Sequence, residues 1–202
     1  MTHLQRLCSN ITNTIRLRIK SIDQEKAEII NYGLYLWVTD VIKLAITLSL
    51  AYILGVLGFT LITLISFGVL RTFSGGAHAK TFLGCLSTNS IITFSIVYSS
   101  LLLSYLDPMI PGSILLPVCF LIIYLYAPAD HENKPVVSKK QRQRFRILAY
   151  IILLLEYIIA LAFTHQPISN ILIIAPFAAS LLMLPAAYKL TGSRHSDSFK
   201  RT

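Results

Sequence analysis

Residues 139–163 read KKQRQRFRILAYIILLLEYIIALAF: five cations within eight positions, then seventeen residues whose single charge is Glu156. A helix needs about 20 apolar residues to cross the hydrocarbon core of a bilayer, with about 17 as the lower limit. Lys and Arg collect on the cytoplasmic flank of such helices. The stretch therefore reads as a basic cytoplasmic segment feeding a membrane span. Working outward, five further apolar stretches stand out, at residues 34–54, 56–70, 88–106, 110–126 and 168–187. The second is short for a crossing, which leaves a re-entrant segment as an alternative, and 110–126 and 147–163 sit at the length limit. Gly55 and Gly58 allow a tight turn between the first two stretches. Pro108, Pro111 and Gly112 mark one later connection, and His165-Gln166-Pro167 another.

Composition agrees. Of the 202 residues, 54% are hydrophobic and 13% charged, against about a quarter charged in soluble domains; the mean hydropathy is +0.66. Disordered, collagenous and ordinary cytosolic classes are excluded. The isoelectric point near 9.6 could point to nucleic acid, but with this apolar surplus it points to basic loops on a membrane protein. The 18 Lys and Arg residues test the partition: five lie in the first 32 positions, and two (Arg71, Lys80) between the second and third spans. Six (Lys134, Lys139, Lys140, Arg142, Arg144, Arg146) lie between the fourth and fifth, four after the sixth, and only Lys43 elsewhere. The positive-inside rule then places both termini and the two long loops in the cytoplasm, which requires an even number of spans.

The expected architecture is all-α: a single membrane domain over residues 1–202 with about six transmembrane helices. It divides into a cytoplasmic or interfacial helix (1–32), a transmembrane core (33–190) and a flexible polar tail (191–202). Leu4, Leu7, Ile11, Ile15, Ile19 and Ile22 recur at helical spacing among basic neighbours, the pattern of an amphipathic helix lying on the inner leaflet. Membrane lipid is thus one expected partner and nucleic acid is not. No cleavable signal peptide is expected, because Arg6, Arg16, Arg18, Lys20 and Lys26 interrupt the start without a compact apolar segment. No internal repeat supports an inverted-repeat transporter. Cys8, Cys85 and Cys119, an odd number without paired spacing, imply no disulfide framework.

Three places could carry chemistry. Asp40 and Lys43 stand one helical turn apart, which favours a snorkelling ion pair over a transport site. Glu156, alone in its span, must be neutral, face a polar cavity or find a partner on another helix. The loop Arg71–Cys85 is different in kind, since it packs Ser74, Gly75, Gly76, His78 and Cys85 between two spans. A cysteine attacks as its thiolate, and a neighbouring imidazole can take the proton and remain as the counter-charge. Seven residues of straight helix would separate His78 and Cys85 by about 10.5 Å along the axis, too far for direct pairing. The chain must bend, and Gly75, Gly76 and Gly84 are where bending is cheap. The bland alternative is an inert cysteine at the end of a span, the class to which Cys119 is assigned. No metal or other cofactor is expected: one Cys and one His do not make a zinc site, and the chain lacks HExxH and GxSxG. In the second loop, Asp130 or Glu132 could orient His78 as the third member of a triad does. Lys139, Lys140 and the following cations set topology and could dock an acidic peptide. On residues alone, a cysteine peptidase competes with a small non-enzymatic membrane transporter or peptide-export partner.

Arg71, the Ser74-Gly75-Gly76 run, His78 and Cys85, followed by Pro128-Ala-Asp-His-Glu-Asn-Lys-Pro135, resemble the two loop motifs of the accessory gene regulator protein B (AgrB) family. The likeness extends over essentially the whole chain. It implies a bacterial membrane-embedded cysteine endopeptidase of quorum sensing, with Cys85 and His78 catalytic and Arg71 and Gly76 at further motif positions. The implied substrate is a short AgrD-like precursor, captured as an acyl-enzyme and released as a cyclic thiolactone or lactone. The resemblance fixes neither the precursor nor the oligomeric state, and a homodimer is left open.

Overall fold

Apolar runs punctuated by Gly and Pro fold into helices throughout the computed structural model, which describes residues 3–19, 23–79, 81–129, 138–163 and 166–193. Eight helices are found among them: α1 (His3–Arg18), α2 (Gln24–Ile53), α3 (Leu57–Ser74), α4 (Phe82–Leu102), α5 (Met109–Tyr126), α6 (Lys139–Ala162), α7 (Ile168–Leu181) and α8 (Pro185–Thr191). Five of them, α2 to α6, are long and apolar enough to cross a membrane; α7 and α8 together make a sixth, bent by 77° at their junction. The all-α expectation holds, with two corrections. The stretch 168–187 is a broken pair rather than one rod. The short second stretch gains a turn at its end, reaching Ser74 as an uninterrupted 18-residue helix.

The chain divides into two compact units, Met1–Leu50 and Ala51–Thr202. In the first, Asp23 precedes α2 and accepts the Lys26 amide at 2.8 Å, a bond that holds its carboxyl below the ordinary range. Along α1, Leu7 and Ile11 of the apolar stripe are exposed, while Cys8 and Thr12 are buried. Leu4 and Ile15 of the same stripe are half-buried. Asp40 and Lys43 form the expected ion pair at 2.6 Å.

In the second unit α7 is the central helix, packed against α3, α4, α5 and α6. Its sequence explains the position: Ala175, Ala179 and Ser180 are fully buried, and small residues let neighbouring helices approach closely where lipid removes the usual hydrophobic drive. Leu70, Ile123, Leu153 and Met183 join its own Ile171 in the buried core. Asn170, wholly buried, donates through its amide to the Leu103 carbonyl at 2.9 Å, tying the start of α7 to the end of α4. Outward-facing Ile65, Ile91, Ile114 and Ile158 are exposed, the surface of a bundle meant for lipid rather than water.

Candidate active site

Helix α3 ends at Ser74 because Gly75 turns the chain: its φ is +76° and its ψ −152°, a combination essentially confined to glycine. Its amide still caps the helix by donating to the Arg71 carbonyl at 2.9 Å. Beyond it the backbone runs extended beside the second loop. Gly76 N–H donates to Ala129 O at 2.9 Å and Ala129 N–H to Ser74 O at 2.8 Å, a one-residue parallel bridge. Ala77 N–H then donates to Leu182 O at 2.8 Å, at the elbow between α7 and α8. The segment is threaded between two backbones. A Cβ on Gly75 would overlap the Ala129 carbonyl oxygen, and one on Gly76 would stand 3.2 Å from Leu182 O.

Side chains secure this thread. The Arg71 guanidinium donates to Ala77 O, closing the loop over itself, and lies over the Phe67 ring at 5.4 Å. Tyr188 of α8, 4% exposed, donates its hydroxyl to Ala129 O at 3.2 Å. Arg146 of α6 donates through Nε to Ala127 O at 2.9 Å. Irregular backbone at the end of a membrane bundle is tolerated when its polar groups find partners in protein, and here α3, α6, α8 and the elbow supply them.

His78 follows in a non-helical stretch and is exposed. Helix α4 begins only at Phe82, capped by Thr81, whose hydroxyl accepts the Gly84 amide at 3.0 Å. Cys85, half-buried, is the fourth residue of α4, and its own amide donates to Thr81 O at 2.9 Å. The rigid rod that would keep His78 from Cys85 is therefore absent. The turning points are Gly75 and Gly76, and the chain is still non-helical at His78 and Ala79. Gly84 is no hinge; it lies inside the first turn of α4. The Arg71 guanidinium is within electrostatic range of the Cys85 thiol and the Tyr188 phenol. No salt bridge joins Arg71 to a carboxylate among the described residues.

The remaining candidates distribute as follows. Ser74 is fully buried where the bridge begins. Lys139 and Lys140 open α6 and are exposed. Asp130 and Glu132 lie outside the described residues. Among the described residues no three of His, Cys, Asp and Glu gather as metal ligands. Away from the loops, Glu156 is buried with Oε2 unpartnered. The Ser66 hydroxyl is likewise buried without a hydrogen-bond partner. Sequence reading assigned no role to Thr81, Leu182 or Tyr188, took Ala129 only as a motif position and took Arg146 only as one cation of the basic run. A threonine ahead of an apolar run is an N-cap signal that could have revealed Thr81. The others act at sequence separations no local pattern carries.

Comparison with known proteins supplies independent findings. The family described as accessory gene regulator B matches residues 8–184. A putative AgrB-like protein of Clostridium acetobutylicum is 28% identical over 187 residues, covering 91% of this chain and 88% of its own. The accessory gene regulator protein B of Staphylococcus aureus (strain MRSA252) is 30% identical, with 79% and 83% covered. That of Staphylococcus intermedius is 30% identical, with 77% and 81% covered. No solved structure matches the chain.

Proposed function

The chain belongs to the accessory gene regulator B family, and from that premise we propose that it is a membrane-embedded cysteine endopeptidase that matures a short AgrD-like quorum-sensing precursor. Cys85 is the nucleophile and His78 the base, then the acid. The observation that carries this reading is that Ala77, His78 and Ala79 lie outside any helix while Cys85 lies in α4: the imidazole is off the rod that holds the sulfur.

The chemistry runs in two transfers. His78 takes the Cys85 proton, and the sulfur adds to the scissile carbonyl carbon, forming the C–S bond and an oxyanion. The carbonyl re-forms as the C–N bond breaks, and the leaving amine takes its proton from His78. A thioester now holds the N-terminal product. A thiol or hydroxyl within that peptide, giving its proton to His78, attacks the thioester and frees Cys85, leaving a cyclic thiolactone or lactone. Thioester exchange is nearly balanced in energy, so water must be kept out or hydrolysis drains the intermediate.

Helix α7 supports that exclusion. Its 14 residues reach only about 21 Å at 1.5 Å per residue, against a hydrocarbon core of about 30 Å, so in this reading the elbow bonded to Ala77 lies below the membrane surface. An amphipathic precursor on the inner leaflet would reach the site already confined to its plane. Exposed Lys139 and Lys140 would hold its acidic part. In this reading both termini and both loops are cytoplasmic.

The test is co-expression of the full chain with such a precursor. Cys85→Ala and His78→Ala are each expected to abolish cleavage while the protein still inserts in the membrane, and Cys85→Ser to lose nearly all activity. Normal processing in either alanine variant overturns the assignment.

A further inference from the structure

The far end of the second unit, away from His78 and Cys85, holds buried polar groups that the peptidase chemistry does not use. Asn170 donates to Leu103 O there, joining the start of α7 to the end of α4, while its Oδ1 has no partner. Ser100, one turn before Leu103 on α4, and Thr60, in the first turn of α3, are fully buried with their hydroxyls also unpartnered. Deeper in, Ser66 of α3 and Glu156 of α6 repeat the pattern on two helices that pack together. Each is more than nine-tenths buried, and neither Ser66 Oγ nor Glu156 Oε2 has a hydrogen-bond partner among the described residues.

Depth orders these groups. At 1.5 Å per residue, Ser100 and Asn170 lie about 3 Å from the far ends of their helices, Thr60 about 4.5 Å, Glu156 about 9 Å and Ser66 about 14 Å. Toward His78 and Cys85 the buried faces turn apolar, with Phe67 and Leu70 on α3, Ile122 and Ile123 on α5, and Ala149 and Leu153 on α6. Ser180 of α7, buried on that side, spends its hydroxyl on Pro176 O at 2.8 Å. The one acid in the bundle core thus has unsatisfied polar neighbours on one side and hydrocarbon on the other.

We propose that Glu156 is a proton-binding site served by water from the far end of the bundle and closed to the face that carries His78 and Cys85. No described Lys or Arg pairs with Glu156, so its carboxylate would be an uncompensated charge inside the membrane, which a bound proton removes. Internal water, making about three hydrogen bonds, suits the open atoms of Ser100, Asn170 and Thr60. The difference in depth from there to Glu156, about 6 Å, is two hydrogen-bond lengths of about 2.8 Å. In the exchange the O–H bond breaks with its pair staying on the carboxylate, and the proton passes to the adjoining water as hydronium; the reverse step reloads the acid. Few other ionisable groups bear on it. Of the helices packed against α6, α7 carries none, and α5 carries Cys119, Tyr124 and Tyr126, of which Cys119 is nearest in depth and lines a cavity with Leu153 and Tyr157 of α6. The single charge on α3, Arg71, is about 12 Å nearer the other end, and Arg146 of α6 is about 15 Å from Glu156 along the axis.

The test uses the full chain in right-side-out and inverted membrane vesicles, with the far end identified by maleimide labelling of Asp107→Cys. The probe is dicyclohexylcarbodiimide, an apolar reagent that enters the bilayer and modifies carboxyls only in the acid form; modification of Glu156 is read by mass spectrometry. With pH set separately on the two sides, alkaline medium at the far end is expected to slow labelling by about tenfold per pH unit once the acid titrates. Alkaline medium at the face of Cys85 is expected to leave the rate unchanged. A rate that follows the pH at the Cys85 face, or neither pH, overturns the proposal, as does a Glu156 that never labels. Protection by sodium or lithium at constant pH would mark an alkali-cation site and overturns it equally. Precursor processing plays no part in the readout, so the result stands apart from the assignment of Cys85.

Discussion

At the scale of single residues, the glycine pair decides whether the two loops can meet. Gly75 combines a backbone angle that side chains avoid with a contact in which a methyl group would overlap the Ala129 carbonyl oxygen. Backbone strain of that kind costs about 1–3 kcal/mol by itself, and the overlap forces the bridge to Ala129 apart. Gly75→Ala is therefore expected to abolish precursor processing and to lower the midpoint of thermal unfolding. Gly33→Ala, where an added methyl meets nothing within 4 Å, is expected to leave both unchanged. Processing assays and thermal scans on detergent-solubilised protein check the pair, and an active Gly75→Ala would show that the bridge is dispensable. The importance of these glycines was legible in the sequence, since a Gly-Gly step between two spans can only be a turn or a close approach. Their partners were not. Ala129 and Leu182 contribute only backbone carbonyls, and nothing in an alanine or a leucine advertises a carbonyl that will be used.

At the scale of elements, hydropathy located the helices and missed how they begin and break. Residues 110–126 match α5 to within a residue, because Pro108 and Asp107 stop and start helices there by local chemistry; Asp107 accepts the Met109 amide at 2.9 Å. Helices α2 and α6 start ten and eight residues before their apolar runs begin, since charged helix formers extend a helix beyond the lipid without altering its apolar count. The elbow between α7 and α8 escaped for the opposite reason: Leu181, Leu182, Met183 and Leu184 are all apolar, so hydropathy runs through the break. Pro185 at the first position of α8 carried the signal, as proline is favoured there and breaks a helix elsewhere. The start of α4 is the element boundary that matters most for function, because it sets the height of Cys85. Thr81→Ala removes the hydroxyl that accepts the Gly84 amide, a loss of about 1 kcal/mol at an N-cap. It is expected to slow processing several-fold through fraying of that first turn, with Thr81→Ser retaining wild-type rates. A rate in Thr81→Ala equal to wild type would mean that Cys85 does not depend on the cap.

At the scale of the whole molecule, the direction of each helix in the second unit follows from which ends meet. Ser74 closes α3, Ala127–Ala129 follow α5, and Leu182 follows α7, and all are joined by the hydrogen bonds of one site. Helices α3, α5 and α7 therefore run toward the same face, and α4 and α6, each joined to its neighbours by a short or looped connection, run back. On this geometry α7 ends, and α8 turns aside, at the face that carries His78 and Cys85. The proposed cytoplasmic placement of that face rests on charge alone, because the segments between α3 and α4, between α5 and α6, and after α7 hold Lys and Arg while the opposite connections hold none. The two arguments share no observation, and together they predict a labelling pattern. In a background lacking the native cysteines, Asp107→Cys is expected to react with a membrane-impermeant maleimide added to intact cells. Ser138→Cys and Lys189→Cys are expected to react only after permeabilisation. Labelling of Lys189→Cys from outside, with Ser138→Cys still protected, would put α8 on the far face. The hydrogen bonds from Ala77 to Leu182 and from Tyr188 to Ala129 could not then exist in the membrane, and the site would lose its floor.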